Sequence, residues 1–153
     1  MTKTKVKKAP AKVRRKYAPG DFDLQVKRSS AGFGLFANCA IPKGACIIEY
    51  SGRVLEPGTE FTARSKYLFE VSAKKTIDGS PRWNIARYIN HSCRPNSEPE
   101  IHRGRVFIFA KRAIKPGEEL AYNYGKDYFD NFIKPHGCRC LKCSGARAKS
   151  ASA

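Results

Sequence analysis

The residues best suited to chemistry lie close together, between positions 87 and 96. This stretch holds a guanidinium at Arg87, an amide at Asn90, an imidazole at His91 and a thiol at Cys93, beside one apolar pair. Its apolar residues follow neither a helical nor a strand period, so core packing does not require this combination. The stretch therefore indicates a functional site.

The cysteines form a second group of residues suited to chemistry. Six are present, and three of them lie within residues 138–143 at spacings of two and three: Cys138, Cys140 and Cys143. Thiols this close usually share a metal ion instead of forming disulfides. Cys39 and Cys46 lie in apolar surroundings, where we expect buried small hydrophobes without a chemical role.

The rest of the chain predicts one mostly-β domain. Apolar runs rich in Val, Ile, Leu, Phe and Tyr occur at 24–27, 35–37, 46–50, 67–71 and 106–110, and turn residues separate them at short intervals. Only 83–89 and 126–133 favour a helical turn or two. With 153 residues, the chain has room for one hydrophobic core.

Four ordered segments resemble those of the SET-domain protein lysine methyltransferases. They are Ser-Ala-Gly-Phe-Gly-Leu-Phe at 30–36, Glu-Tyr-Ser-Gly at 49–52, the stretch 87–96, and Glu-Leu-Ala-Tyr-Asn-Tyr-Gly at 119–125. The cysteines at 138–143 resemble the post-SET segment that follows this domain in many members. The resemblance implies a β-clip of small curved sheets, in which the asparagine-histidine segment passes beneath the tyrosine segment and forms a pseudoknot.

The resemblance also implies domain boundaries. A disordered basic tail would occupy residues 1–20, the SET domain 21–126, the short zinc-binding post-SET segment 127–146, and a second disordered tail 147–153. Residues 55–66 stand where the family carries its variable SET-I insert. Because this insert is short here, we expect a minimal surface for binding a peptide.

The activity implied is methyl transfer from S-adenosylmethionine to a protein lysine. The attacking amine must be neutral, although only roughly one lysine in a thousand is neutral near pH 7. Burial in an aromatic channel facing a positive sulfonium would lower the pKa of that amine. Tyr124 matches the family's catalytic tyrosine and Tyr50 a second channel tyrosine, for which core filling is the alternative. Tyr122 matches a position that favours monomethylation, and Asn123 replaces a frequent aspartate.

The resemblance assigns the methyl donor to a second set of residues. Gly32 and Gly34, on either side of Phe33, would let the main chain approach the donor closely, because neither has a side chain that would obstruct it. The donor-contacting residues implied by the family pattern are Gly32, Phe33, Gly34, Tyr67, Arg87, Asn90 and His91. For His91 taken alone, a structural histidine is the alternative.

The resemblance completes a metal site as well. Cys93 would join Cys138, Cys140 and Cys143 in a structural zinc site of four thiolates without an open position. The spacing between the second and third thiols of the cluster is two residues shorter than is usual in the family. His136 is an alternative ligand.

Charge bears on partners. The net charge of +17 lies mainly in the tails, because residues 1–20 hold eight basic and no acidic side chains. A solubility tail and a nucleic-acid-binding arm are both compatible with this composition. We expect an intracellular protein of a reducing compartment with a histone or histone-like substrate and no membrane span. A non-catalytic chromatin or DNA adaptor is the alternative, and methylation of the chain's own tail lysines is a third reading.

Overall fold

The computed structural model describes residues 16–59, 65–140 and 142–143. Ten strands lie within these ranges, and they are β1 Leu24–Ser29, β2 Gly32–Ala37, β3 Cys46–Tyr50, β4 Arg53–Val54, β5 Leu68–Ser72, β6 Lys75–Asp78, β7 Asn90–His91, β8 Ser97–His102, β9 Arg105–Ala110 and β10 Ala121–Tyr122. The strands form four small sheets, so the predicted mostly-β domain is confirmed.

Each predicted apolar run coincides with a strand, except that β5 begins one residue after the start of the run 67–71. Burial of one or both faces selects such residues. β1 and β2 form a hairpin that pairs Ser29 with Gly32. Three-stranded antiparallel sheets have the orders β3-β9-β8 and β4-β6-β5. Gly32 has a φ of 101°, which a residue with a side chain rarely adopts, so the hairpin turn explains this glycine.

The two stretches predicted to favour helical turns do contain short helical elements. A 3-10 turn spans Ile85–Tyr88, just before β7. After β10 come an α-helical turn at Lys126–Tyr128, a π-helical turn at Phe129–Ile133 and a 3-10 turn at Lys134–His136. We call residues 126–136 the C-terminal helical segment. None of the helices in the described part of the chain is long and apolar enough to cross a membrane.

The predicted crossing of the asparagine-histidine and tyrosine segments is confirmed. β7 pairs in parallel with β10, with Asn90 opposite Ala121 and His91 opposite Tyr122. Asn96 strengthens this crossing, because its side chain donates to the Glu119 carbonyl at 2.8 Å and accepts from the Ala121 N–H at 3.0 Å. Residues far apart in sequence are thereby locked into one site.

Strand β9 separates two apolar layers. Val106 and Ile108 face the main core, which also holds Tyr50 and Tyr122. On the other face, Phe107 and Phe109 pack with Cys46. Alternate residues of a strand point to opposite faces of its sheet, which explains the division.

Tyr17 covers the second layer. Its ring stacks on His102 with centroids 3.9 Å apart and contacts Phe109 edge-on at 5.7 Å. The Gly20 N–H donates to the Cys46 carbonyl at 2.9 Å. Residues 16–20, which the sequence assigned to the N-terminal tail, are therefore structured and packed on the sheet. Residues 1–15, 60–64, 141 and 144–153 lie outside the described residues, with most of the first predicted tail, all of the second and part of the predicted SET-I insert.

Candidate functional site

Three buried or partly buried tyrosines converge at the centre of the molecule. Tyr50 lies at the end of β3 and is 4% exposed, and Tyr122 lies on β10 and is 6% exposed. The ring centroids of Tyr122 and Tyr124 are 4.9 Å apart. The Tyr50 hydroxyl donates to the Tyr67 carbonyl at 2.7 Å, so its direction is fixed. The structure therefore brings all three predicted channel tyrosines together.

Burial keeps these phenols protonated. It is the largest cause of the raised pKa of Tyr50, Tyr122 and Tyr124, and the neighbouring tyrosines raise each pKa further. All three hydroxyls are therefore neutral near pH 7 and serve as hydrogen-bond donors and acceptors. None of them is a tyrosinate base at that pH.

Tyr124 is held at two points by the crossing segment. Its hydroxyl donates to the Ile89 carbonyl, and its backbone N–H donates to His91 Nδ1 at 3.1 Å. The residue is thus fixed through both its side chain and its main chain. This arrangement is suited to a group that must hold a reacting atom in place.

A cavity of about 210 Å³ opens beside Tyr124. Asn90 and His91 line one side, and the C-terminal helical segment contributes Tyr128 and Phe132. The Tyr128 ring lies 5.1 Å from that of Tyr124 and 5.0 Å from that of Phe132. Neither Tyr128 nor Phe132 was predicted as a site residue. Their spacing of four residues on a helical segment places both on one face, and this spacing could have indicated them.

Asn90 lines this space with a polar side chain. Its Nδ2 donates to the Phe33 carbonyl at 2.8 Å and to Glu119 Oε1 at 2.9 Å. Within the described part of the chain its Oδ1 accepts no hydrogen bond. A partly buried amide oxygen without a protein donor fits the ammonium group of an amino-acid ligand such as S-adenosylmethionine. The residues present therefore fit the expected donor.

Gly32 and Gly34 also have local explanations, and their contact with the methyl donor stays a prediction. A Cβ on Gly34 would lie 2.2 Å from Glu119 Oε1, whereas a Cβ on Gly32 would meet no atom of the chain within 4 Å. Gly34 thus makes room for the Glu119 carboxylate, and Gly32 serves the hairpin turn. Phe33 between them is 55% exposed.

Arg87 contacts the ring of Tyr67, whose carbonyl accepts the hydrogen bond from Tyr50. The guanidinium carbon lies 4.9 Å from the Tyr67 ring centroid and 4.7 Å from that of Tyr88. Its Nη1 donates to the Ser80 carbonyl, and its Nη2 donates to the Tyr88 hydroxyl at 2.7 Å. Neither Arg87 nor Tyr67 lines the cavity beside Tyr124. Their contact with a methyl donor stays a prediction.

Four cysteine thiols form a compact cluster with sulfur atoms all within 4.8 Å of one another: Cys93, Cys138, Cys140 and Cys143. Cys93 Sγ lies 3.9 Å from Cys138 Sγ and 3.7 Å from Cys143 Sγ. A tetrahedron with Zn–S bonds of about 2.3 Å has edges of about 3.8 Å. A disulfide requires about 2.05 Å. The four thiols therefore fit a zinc ion, despite the short spacing after Cys140.

The thiols of the cluster differ in acidity: burial raises the pKa of Cys93 and of Cys138, whereas the pKa of Cys140 is lowered. Burial alone would raise the pKa of Cys140, but hydrogen bonds with the backbone of Cys93 and Cys143 reverse this and lower it to about 6. Cys140 is therefore ready to lose its proton to a metal. The alternative ligand His136 does not belong to the cluster in the described residues and lines the cavity beside Tyr124 instead.

A second cavity, of about 310 Å³, shares Asn90, His91 and Cys140 with the first and is strongly basic. Its cationic lining residues are Arg94, Arg112, Arg139 and Lys142. One of them, Arg112, pairs with Glu118 at 2.9 Å. Zinc bound by four thiolates would carry a charge of −2, so the cations flanking the cysteines in sequence balance a charge that the cluster itself creates.

The chain belongs to the SET-domain family, whose pattern matches residues 32–125. It is 39% identical over 125 residues to "Histone-lysine N-methyltransferase trr" of Drosophila melanogaster, covering 73% of this chain and 5% of the relative. It is 34% identical over 145 residues to "Histone-lysine N-methyltransferase, H3 lysine-36 specific" of Mycosarcoma maydis, covering 86% and 15%.

A third relative is named for a different histone lysine from the second. The chain is 34% identical over 139 residues to "Histone-lysine N-methyltransferase, H3 lysine-9 specific SUVH5" of Arabidopsis thaliana, covering 78% of this chain and 18% of the relative. The chain thus spans a small part of each of these proteins, and the second and third are named for different lysines of H3.

Proposed function

We propose that this protein transfers one methyl group from S-adenosylmethionine to the side-chain amine of a protein lysine. The observation that carries the proposal is the convergence of Tyr50, Tyr122 and Tyr124 in one apolar cluster of a SET domain, with Tyr124 beside Asn90 and His91 at the cavity. The relatives named as histone-lysine methyltransferases support a histone or histone-like substrate.

The donor, when bound, supplies an electrophilic methyl group on a sulfonium. The Tyr124 hydroxyl donates a hydrogen bond to the Ile89 carbonyl, so its oxygen remains an acceptor that can orient the methyl group. The ring faces of Tyr50 and Tyr122 exclude water from the amine. Asn90 Oδ1 would accept from the donor's ammonium group.

Removal of the lysine proton does not require a protein base. The three phenols keep their protons because burial raises their pKa, and His91 Nδ1 already accepts a backbone hydrogen bond. We infer that the proton leaves to water. The aromatic channel then disfavours the charged amine by desolvation, and the sulfonium disfavours it by charge repulsion.

The proposed product is monomethyllysine because Tyr122 is a buried tyrosine next to Tyr124. A hydroxyl at this position occupies space beside the amine and can hold a water there. Additional methyl groups would need that space.

The test is mass spectrometry after incubation with labelled S-adenosylmethionine and candidate proteins. Tyr124→Phe should bind the donor normally and lose most turnover, whereas Asn90→Ala should lose donor affinity. Normal turnover by Tyr124→Phe would exclude the proposed role of its hydroxyl. Methyl groups on Lys3, Lys5, Lys7, Lys8 or Lys12 would support self-methylation. These lysines lie outside the described residues.

The non-catalytic adaptor is the competing function, and it predicts no transfer to any protein despite normal folding. A basic chain of charge +17 could bind nucleic acid in either case. The Tyr124 phenol on the cavity wall beside Asn90 and His91 favours the enzyme, since an adaptor has no use for such a group there.

We further propose one structural zinc held by Cys93, Cys138, Cys140 and Cys143. Zinc would fasten the C-terminal segment to β7 and complete one wall of the donor cavity. Metal analysis should find one zinc per chain, lost in Cys93→Ser and retained in the control Cys39→Ser. Equal zinc in Cys93→Ser and the parent would contradict the assignment. A site of reduced thiolates also supports a reducing compartment.

A further inference from the structure

The imidazole of His91 connects the thiol cluster with the tyrosine strand. Its Nδ1 lies 3.1 Å from the backbone nitrogen of Tyr124. Its Nε2 lies 3.4 Å from Cys93 Sγ. The ring also packs against Tyr124 and Phe129, with centroids 5.5 Å and 5.3 Å away. Both nitrogens and the ring itself are thus in contact with this chain.

These contacts determine the tautomer. A backbone N–H can only donate, so Nδ1 must be the accepting nitrogen and carries no hydrogen. The single N–H of the neutral ring then lies on Nε2 and points at the sulfur of Cys93. A metal-bound thiolate is a strong acceptor for this bond, because the acceptor carries negative charge.

We propose that His91 is a positioning residue whose side chain joins the metal site to Tyr124, and that it does not bind the methyl donor through its ring. This inference rests on the proposed zinc site and on the proposed role of Tyr124. Hydrogen-bond partners of metal ligands typically change metal affinity 10- to 100-fold when removed. The same imidazole holds the main chain of Tyr124, so the metal orders the tyrosine through one ring.

The tautomer can be measured directly in the zinc-loaded full chain by ¹⁵N NMR of the histidines. We expect His91 to carry its hydrogen on Nε2. A hydrogen on Nδ1 would overturn the inference, because the ring could not then accept from Tyr124. This readout does not depend on methyl transfer or on any variant that must fold.

The matched variants are His91→Phe and His136→Phe. Phenylalanine keeps a ring between Tyr124 and Phe129 but removes both nitrogens, whereas His136 lines the same cavity without joining the thiol cluster. Chelator competition should show zinc affinity about 10- to 100-fold weaker in His91→Phe. It should show no change in His136→Phe. Equal affinity in His91→Phe and the parent would overturn the inference.

Cobalt substitution supplies a spectroscopic check. Loss of a hydrogen bond to the Cys93 sulfur raises the energy of its lone pairs, so the thiolate-to-cobalt band should move to longer wavelength in His91→Phe only. An unmoved band would refute the N–H···S bond. A parent chain that binds neither zinc nor cobalt would refute the proposed metal site and the inference with it. A parent that binds zinc but transfers no methyl group would refute only the enzymatic proposal.

Discussion

The position of Tyr50 can be tested with one methyl group. Gly79 follows β6, and a Cβ added there would lie 2.4 Å from the Tyr50 hydroxyl oxygen, 2.5 Å from Cζ and 2.6 Å from Cε1. Ordinary contacts begin at 3.4 Å, so the phenol must retreat by about 1 Å in Gly79→Ala. The Tyr67 carbonyl, which accepts from both the Tyr50 hydroxyl and the Gly79 N–H, cannot follow it without losing one bond.

Two magnitudes follow from this displacement. Overpacking of a filled core costs about 1–3 kcal/mol of stability, which denaturant unfolding measures. A shift of about 1 Å in a positioned group can cost about 100-fold in rate, so kcat for methyl transfer should fall by up to that factor. Donor affinity should not change, because neither Tyr50 nor Gly79 lines the donor cavity.

A double-mutant cycle separates this mechanism from a general effect on folding. In a Tyr50→Leu background the phenol is absent, and the methyl group of Gly79→Ala should cost little. The expected coupling energy between positions 50 and 79 is therefore about 1–3 kcal/mol. Additive effects on stability, or an unchanged kcat in Gly79→Ala, would refute the placement of Tyr50 against Gly79.

Four further outcomes are expected. Tyr122→Phe should shift the product toward di- and trimethyllysine in intact-mass analysis, and trimethyllysine from the parent would contradict the monomethyl assignment. Arg87→Lys should destabilise the fold by about 1–3 kcal/mol in denaturant unfolding, because lysine can neither stack on the tyrosine rings nor supply two hydrogen-bond donors in the same geometry. Equal stability of the variant and the parent would show that the contact of Arg87 with the tyrosine rings contributes nothing. The free energy of unfolding should decline as pH rises above about 10, because the unfolded chain releases tyrosine protons that the buried phenols of the folded chain retain. Measured between pH 8 and 11, the decline should be shallower in Tyr50→Phe than in the parent. An equal slope in the two proteins would contradict this explanation. Deleting residues 1–15 should flatten the salt dependence of DNA affinity, and an unchanged slope would favour a solubility role for the tail.

The strands were predictable where a run of apolar residues is long enough to show. Residues 46–50 and 106–110 are such runs, and both form strands of the central sheet. β7 and β10 are only two residues long and have no period of their own, so composition could not reveal them. Their pairing was expected only because the asparagine-histidine and tyrosine segments resemble those of a known family.

The site was predictable in its residue types and less so in its contacts. Sequence placed Cys93 with three thiols from residues 138–143, and the sulfur atoms do form one cluster. It could not foresee that Glu119 fills the space beside Gly34, or that Arg87 lies between two tyrosine rings. Such contacts join residues distant in sequence, and their geometry depends on the completed fold.

The two faces of β9 have a practical consequence for handling this protein. Tyr17 fastens the start of the described part to the Phe107 and Phe109 face, whereas Tyr50 lies in the layer on the opposite face. A tag or surface linker at the N-terminus therefore joins the domain on the side away from the channel. One at the C-terminus joins close to Cys143, within the thiol cluster. Immobilisation through the N-terminus should leave donor and substrate access intact, which makes it the better choice for binding measurements on a sensor surface.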